Sequence, residues 1–166
     1  MAQPTSPDED EPQGRVKMAK GFTLIELIIA LAVMGLLFGI AIPIYESFTE
    51  KAEQSQAVAD LGNLQMSIAY FWAANLGLPD TLAQVNPDTT TDPWGNEYLY
   101  LRIEGNPAAT KGKVRKDKNL TPINTDYDLY SFGPDGQSVL ALTAKKSRDD
   151  IVRAGNGSFT GIAENY

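Results

Sequence analysis

The sequence predicts an α+β fold: a long N-terminal helix, its inner half suited to a membrane, packed against a small antiparallel β-sheet. Three observations predict it. Residues 27–45 carry no charge, a run long enough to cross a bilayer core of about 30 Å as a helix. Beyond that run Ala57, Leu61, Leu64, Ile68 and then Phe71 or Trp72 recur at one-face helical spacing. Later segments alternate instead with the two-residue period of strands.

The N-terminal residues are rich in Pro, Asp and Glu and turn basic at Arg15, Lys17 and Lys20, whereas Glu46, Glu50 and Glu53 follow the apolar run. By the positive-inside rule the N-terminus stays cytoplasmic and the remainder is exported. The run ends in IPIYESFTEKAEQ, without a small-residue cleavage site, so the membrane segment is expected to be retained. One helix is predicted from about Phe22 to about Asn75, roughly 80 Å long. Gly77 and Pro79 are its stop signals. Pro43 lies inside it and removes one backbone hydrogen bond, so a kink or local melting is expected there.

The strands come next. EYLYLRI (residues 97–103) sets Leu99, Leu101 and Ile103 on one face and Tyr98, Tyr100 and Arg102 on the other. DYDLYSF (126–132) reads as a second strand and SVLALT (138–143) as a weaker third, while the Gly- and Asn-rich tail from Gly155 carries no pattern. An antiparallel sheet laid on the amphipathic half of the helix would bury both apolar faces. Trp94 in DPWGN is expected to anchor its loop to the sheet. The basic loop KGKVRKDK (111–118) reads as a solvated loop.

Composition narrows the function. The chain has 166 residues and a net charge of −7, which argues against nucleic acid as its partner. It has 0 Cys and 0 His, which excludes disulfides, thiolate and imidazole metal sites, and the usual nucleophile and general base. Gly112-Lys113 is followed by Val114, where a phosphate loop needs Ser or Thr, and no Gly-x-Ser-x-Gly elbow occurs. No catalytic constellation is assembled, and the chain is not expected to be an enzyme.

One residue resists the membrane reading. Glu26 stands at the head of the apolar run, where a lone carboxylate costs on the order of a few kcal/mol unless it is paired or reaches the interface. The stretch KGFTLIELIIALAVMGLLFGIAIPIYESF resembles the N-terminus of the type IV pilin and type II secretion pseudopilin superfamily. That resemblance implies cleavage after Gly21 by a prepilin peptidase, which also N-methylates the new N-terminal Phe22. It matches Glu26 to the family's glutamate and Pro43 to its membrane-helix proline. It further implies that the ammonium of Phe22 pairs with Glu26 of a neighbouring subunit in a filament of staggered helices. Glu26 is then an assembly and register device; the bland alternative is a carboxylate that snorkels to the inner interface.

A second pair of segments, TDPWGNEYLY (91–100) and YDLYSFGPDG (127–136), resembles the signature of the major pseudopilin of type II secretion. The resemblance implies a leader over 1–21, a transmembrane and filament-core helix over 22–45, its amphipathic continuation over 46–76, and a periplasmic sheet region over 77–166. It implies a homopolymer with other pseudopilins, an inner-membrane assembly platform, and no nucleic acid. In that family the loop after the second segment binds Ca2+, which takes six to eight oxygen ligands. By motif match Asp135 of GPDG is one ligand, Asp150 of SRDDI a second with Asp149 as the alternate, and the Phe132 carbonyl a third contributor. The same residues also read as a plain proline turn and a solvated helix start. A type IV pilin of a surface fibre for adhesion, motility or DNA uptake is the alternative function.

Overall fold

Helix α1 occupies Leu24–Asn75, 52 residues with Pro43 inside. The structure is a computed structural model that describes residues 21–87, 91–106 and 112–166. The expected leader therefore lies outside the described residues except for Gly21. The chain separates into two units, Met1–Pro43 and Ile44–Tyr166.

In the first unit every described residue is exposed, the large apolar ones from Phe22 at 91% to Val33 at 51%. A helix with apolar residues on all sides and no core of its own needs a nonaqueous surrounding, and α1 is long and apolar enough to cross a membrane. Helical structure persists on both sides of Pro43, so no local melting occurs there.

The second unit holds the core. Ala57, Leu61, Leu64 and Ile68 of α1 are buried, Phe71 is half-buried, and Tyr70 and Trp72 face outward. Truncating a fully buried residue such as Leu61 would cost about 2–5 kcal/mol. The helix ends at Asn75, as expected, two residues before Gly77. Leu76 adopts φ 53° while its amide donates to the Trp72 carbonyl at 2.8 Å, a left-handed step that costs a non-glycine residue about 1–2 kcal/mol.

Four strands, β1 (Leu99–Arg102), β2 (Tyr127–Ser131), β3 (Ile151–Ala154) and β4 (Phe159–Ile162), form one sheet in that order. All neighbours are antiparallel, with Leu99 opposite Tyr130, Tyr130 opposite Val152, and Val152 opposite Gly161. One face packs Tyr98, Tyr127, Leu129 and Ile151 onto the buried stripe of α1, with Tyr100 and Ile162 beside them. The face of β1 turned to the helix is therefore the tyrosine face. Polar tips complete the contact: the Tyr98 hydroxyl donates to Asp60 on α1 at 3.0 Å and the Tyr100 hydroxyl to the Pro79 carbonyl at 2.7 Å.

The opposite face is also covered, with Val152, Ala154, Ile123, Leu142 and Ala163 forming a second cluster. This explains two departures from the expected strands. β3 is buried on both faces, which erases alternation. Residues 138–143 form no strand; Leu142 packs in the second cluster, and the segment is held by a parallel bridge between Lys116 and Ala141 and by bonds of Ser138 and Val139 to Asp150 and Ser147.

Candidate functional site

The N-terminal elements come first in the chain. Thr23 and Glu26 form a capping box: the Thr23 amide and hydroxyl donate to Glu26 Oε2 at 2.8 and 2.7 Å. The Glu26 amide returns a bond to Thr23 Oγ1 at 3.4 Å. A carboxylate three residues into a helix satisfies orphan donors there and meets the positive end of the helix dipole. The carboxylate that looked anomalous in the sequence thus has a local reason within its own chain. Gly21 has open space where a side chain would stand, and Phe22 beside it is fully presented. The described residues give Gly21 no steric reason to be glycine.

The two signature segments of the globular unit meet at Asp92. Its Oδ1 accepts the amides of Trp94 and Asn96 at 3.1 and 2.7 Å. Its Oδ2 accepts the hydroxyl of Ser131 on β2 at 2.5 Å. The segment also reaches the helix, because Trp94 Nε1 donates to Glu53 Oε2 at 3.0 Å. Trp94 therefore anchors its loop to α1 as well as to the core cluster, where the sequence led us to expect the sheet alone.

Around the expected calcium loop, Gly133 takes φ 68°, and a side chain there would sit 2.3 Å from the Asp149 carbonyl oxygen. The two limbs of the loop thus touch backbone to backbone. The Asp135 amide donates to Asp149 Oδ2 at 3.2 Å, and Asp135 Oδ1 accepts the Gln137 amide at 2.7 Å. Phe132 lies just before this contact with its ring 6.0 Å from that of Tyr130. Asp150 is wholly buried, contrary to a solvated helix start. Its Oδ2 accepts from Ser138 Oγ and pairs with the guanidinium of Arg115. Burial pushes the Asp150 carboxyl up to about 6, against the lowering pull of Ser138 and Arg115.

Arg115 is the residue that sequence reasoning missed. It belongs to the basic loop read as solvated, yet it is 2% exposed and lies 4.2 Å over the Tyr130 ring. Its own amide donates to Asp128 Oδ2 at 2.8 Å, and burial raises the Asp128 carboxyl above the usual range. The missed signal is VRKD, where Val114 and Arg115 are both buried within a run of charge. Calcium fits this donor set poorly. Among the described residues no group of three or more acidic side chains is arranged to hold a metal, and Asp150 already has a cationic partner.

Comparison with known proteins agrees with the N-terminal geometry. Residues 16–42 match the prokaryotic N-terminal methylation motif family. The chain is 32% identical to the type IV major fimbrial protein FimA of Dichelobacter nodosus over 86% of each chain. It is 46% identical to a fimbrial protein of Neisseria meningitidis serogroup B over 82% of this chain and 84% of that one. It is 27% identical to the type II secretion system core protein G of Escherichia coli (strain K12) over 71% of this chain and 83% of that one. No solved structure matches. With the methylation motif at its head, a long apolar helix, a small antiparallel sheet, and a fimbrial relative covering most of its length, the chain belongs to the type IV pilin-like family, which includes the pseudopilins.

Proposed function

We propose that the chain is the pseudopilin subunit of a type II secretion pseudopilus. As a member of its family it is a structural subunit and not an enzyme. The observation that carries the finer reading is the hydrogen bond from Ser131 to Asp92, which joins the two segments that resemble the major pseudopilin. Similarity to core protein G supports it as well. In this reading prepilin peptidase cuts after Gly21 and methylates Phe22. The first helix starts in the inner membrane with its N-terminus cytoplasmic and the sheet domain periplasmic. It then leaves lipid for a bundle of its own copies, driven by an assembly platform, with other pseudopilins as partners. Pro43 gives the helix a point of weakened hydrogen bonding for that transfer.

The identities to two fimbrial proteins favour a second reading, a pilin of a surface fibre. A strain lacking the gene separates the two. Retention of exported proteins in the periplasm, with fibres unchanged, supports the pseudopilus. Normal secretion with loss of fibres or attachment overturns it in favour of the pilin.

A further inference from the structure

We propose that the Arg115 guanidinium is the resident cation of the loop over residues 133–150, doing from within the chain what a divalent ion would otherwise do there, so that the sheet domain is indifferent to calcium. Three carboxylates approach this loop, and each already has a partner. Asp135 Oδ1 holds the Gln137 amide and Asp149 Oδ2 holds the Asp135 amide. Asp150 Oδ2 holds Arg115 Nη2 and Ser138 Oγ. Among the described residues the buried carboxylate oxygen without a hydrogen bond is Asp150 Oδ1, one oxygen toward the six to eight that calcium takes. A dication beside it would also face the fixed positive charge of Arg115 in a weakly screened interior.

The guanidinium is held through its face and both terminal nitrogens, while its buried Nε has no hydrogen-bond partner among the described residues. Its plane lies over Tyr130, Nη1 donates to Ser138, and Nη2 donates to Asp150. Its backbone is clamped by Asp128 on one side and by Ile123, whose amide donates to the Arg115 carbonyl at 3.1 Å. The next residue, Lys116, exchanges two 2.9 Å backbone bonds with Leu140 and Leu142. Arg115 therefore joins the segment before β2 to the segment before β3, the two stretches that cover the outer face of the sheet. A planar, permanently charged fork suits a site that asks for stacking and two acceptors at once. Arg115 acts this way in a secretion pseudopilus and a surface fibre alike.

The test is thermal unfolding of the full chain in detergent, followed by near-ultraviolet circular dichroism, which reports the aromatic packing of the sheet domain. Wild-type protein is melted with excess chelator and with millimolar calcium chloride. We expect the same Tm in both; a Tm raised by calcium or lowered by chelator overturns the proposal. Arg115→Gln is expected to lower Tm by about 10 °C or more. Arg115→Gln combined with Asp150→Asn is expected to cost no more than Arg115→Gln alone, because much of the loss comes from leaving one charge buried without the other. Additive losses would count against the clamp. If Arg115→Gln does not fold, Arg115→Lys decides: it keeps the charge without the planar fork, and wild-type stability in that variant would sink the idea.

Discussion

Ser131 donates its hydroxyl to Asp92 across 39 residues of chain, and both residues are buried. The same carboxylate closes the turn at Trp94 and Asn96, so one side chain sets the turn and docks it on β2. Asp92→Ala should destabilise the sheet domain by about 3 kcal/mol, since hydrogen bonds to a charged group contribute about 1.5–3 kcal/mol each. Ser131→Ala should cost less, and the double variant less than the sum. Chemical denaturation of the single and double variants checks this.

Gly133 is needed for both its backbone angle and its missing side chain. Gly95 shares the positive φ, at 91°, but a methyl group added there would have no atom within 4 Å. Gly95→Ala should therefore cost about 1–2 kcal/mol from the backbone alone. Gly133→Ala should cost clearly more, because it meets a carbonyl oxygen that cannot move without opening the loop. Equal losses in the two variants would show that the backbone contact with Asp149 is soft.

Tyr98, Tyr100, Tyr127 and Tyr130 all have phenols raised above their ordinary value, in each case chiefly by burial. A phenol raised in the folded state keeps its proton there while the unfolded chain gives up its own near pH 10. The unfolded state then binds fewer protons, so stability falls as pH rises beyond about 10. Of the seven tyrosines in the chain, these four are expected to ionise only on unfolding. An absorbance titration should show them in a late step that coincides with loss of near-ultraviolet dichroism. Tyr98→Phe should move that step to higher pH.

Glu26 caps its own helix through Thr23, and in the proposed filament a pairing role would be separable from that cap. Glutamine can serve at this helix position, so Glu26→Gln retains a cap and removes the charge, whereas Glu26→Ala removes both. The cap contributes about 1 kcal/mol, while an ammonium left unpaired in low dielectric costs several. Both variants are expected to insert in membranes and to be impaired in assembly to a similar degree. Filaments from Glu26→Gln as abundant as wild type would assign the residue to capping alone.

The helix and the first strand were legible because each presents one dominant period: apolar on all sides, a stripe at three-to-four spacing, or alternation at 97–103. β3 offered no period, since Ile151, Val152, Arg153 and Ala154 are all buried. Arg153 is hidden because it pairs with Asp126 at 2.6 Å and lies 3.9 Å over Tyr127. Arg115 was obscured in the same way: its partners Ser138 and Asp150 lie 23 and 35 residues away. Local patterns report a charge but not the distant charge that neutralises it. The β3–β4 turn did carry a sign, in Asn156 at φ 56° followed by Gly157 at φ 90°, but short strands without alternation left that sign without a context.

In the proposed cleavage after Gly21, its open surroundings among the described residues would make folding and maturation separable by mutation. A substitution there disturbs no packing, so a variant arrested with its leader attached should carry a sheet domain that melts like the mature one. Whatever such a variant fails to do can be assigned to the enzymes and membranes that handle the chain, and the trapped precursor becomes a folded reagent for studying them.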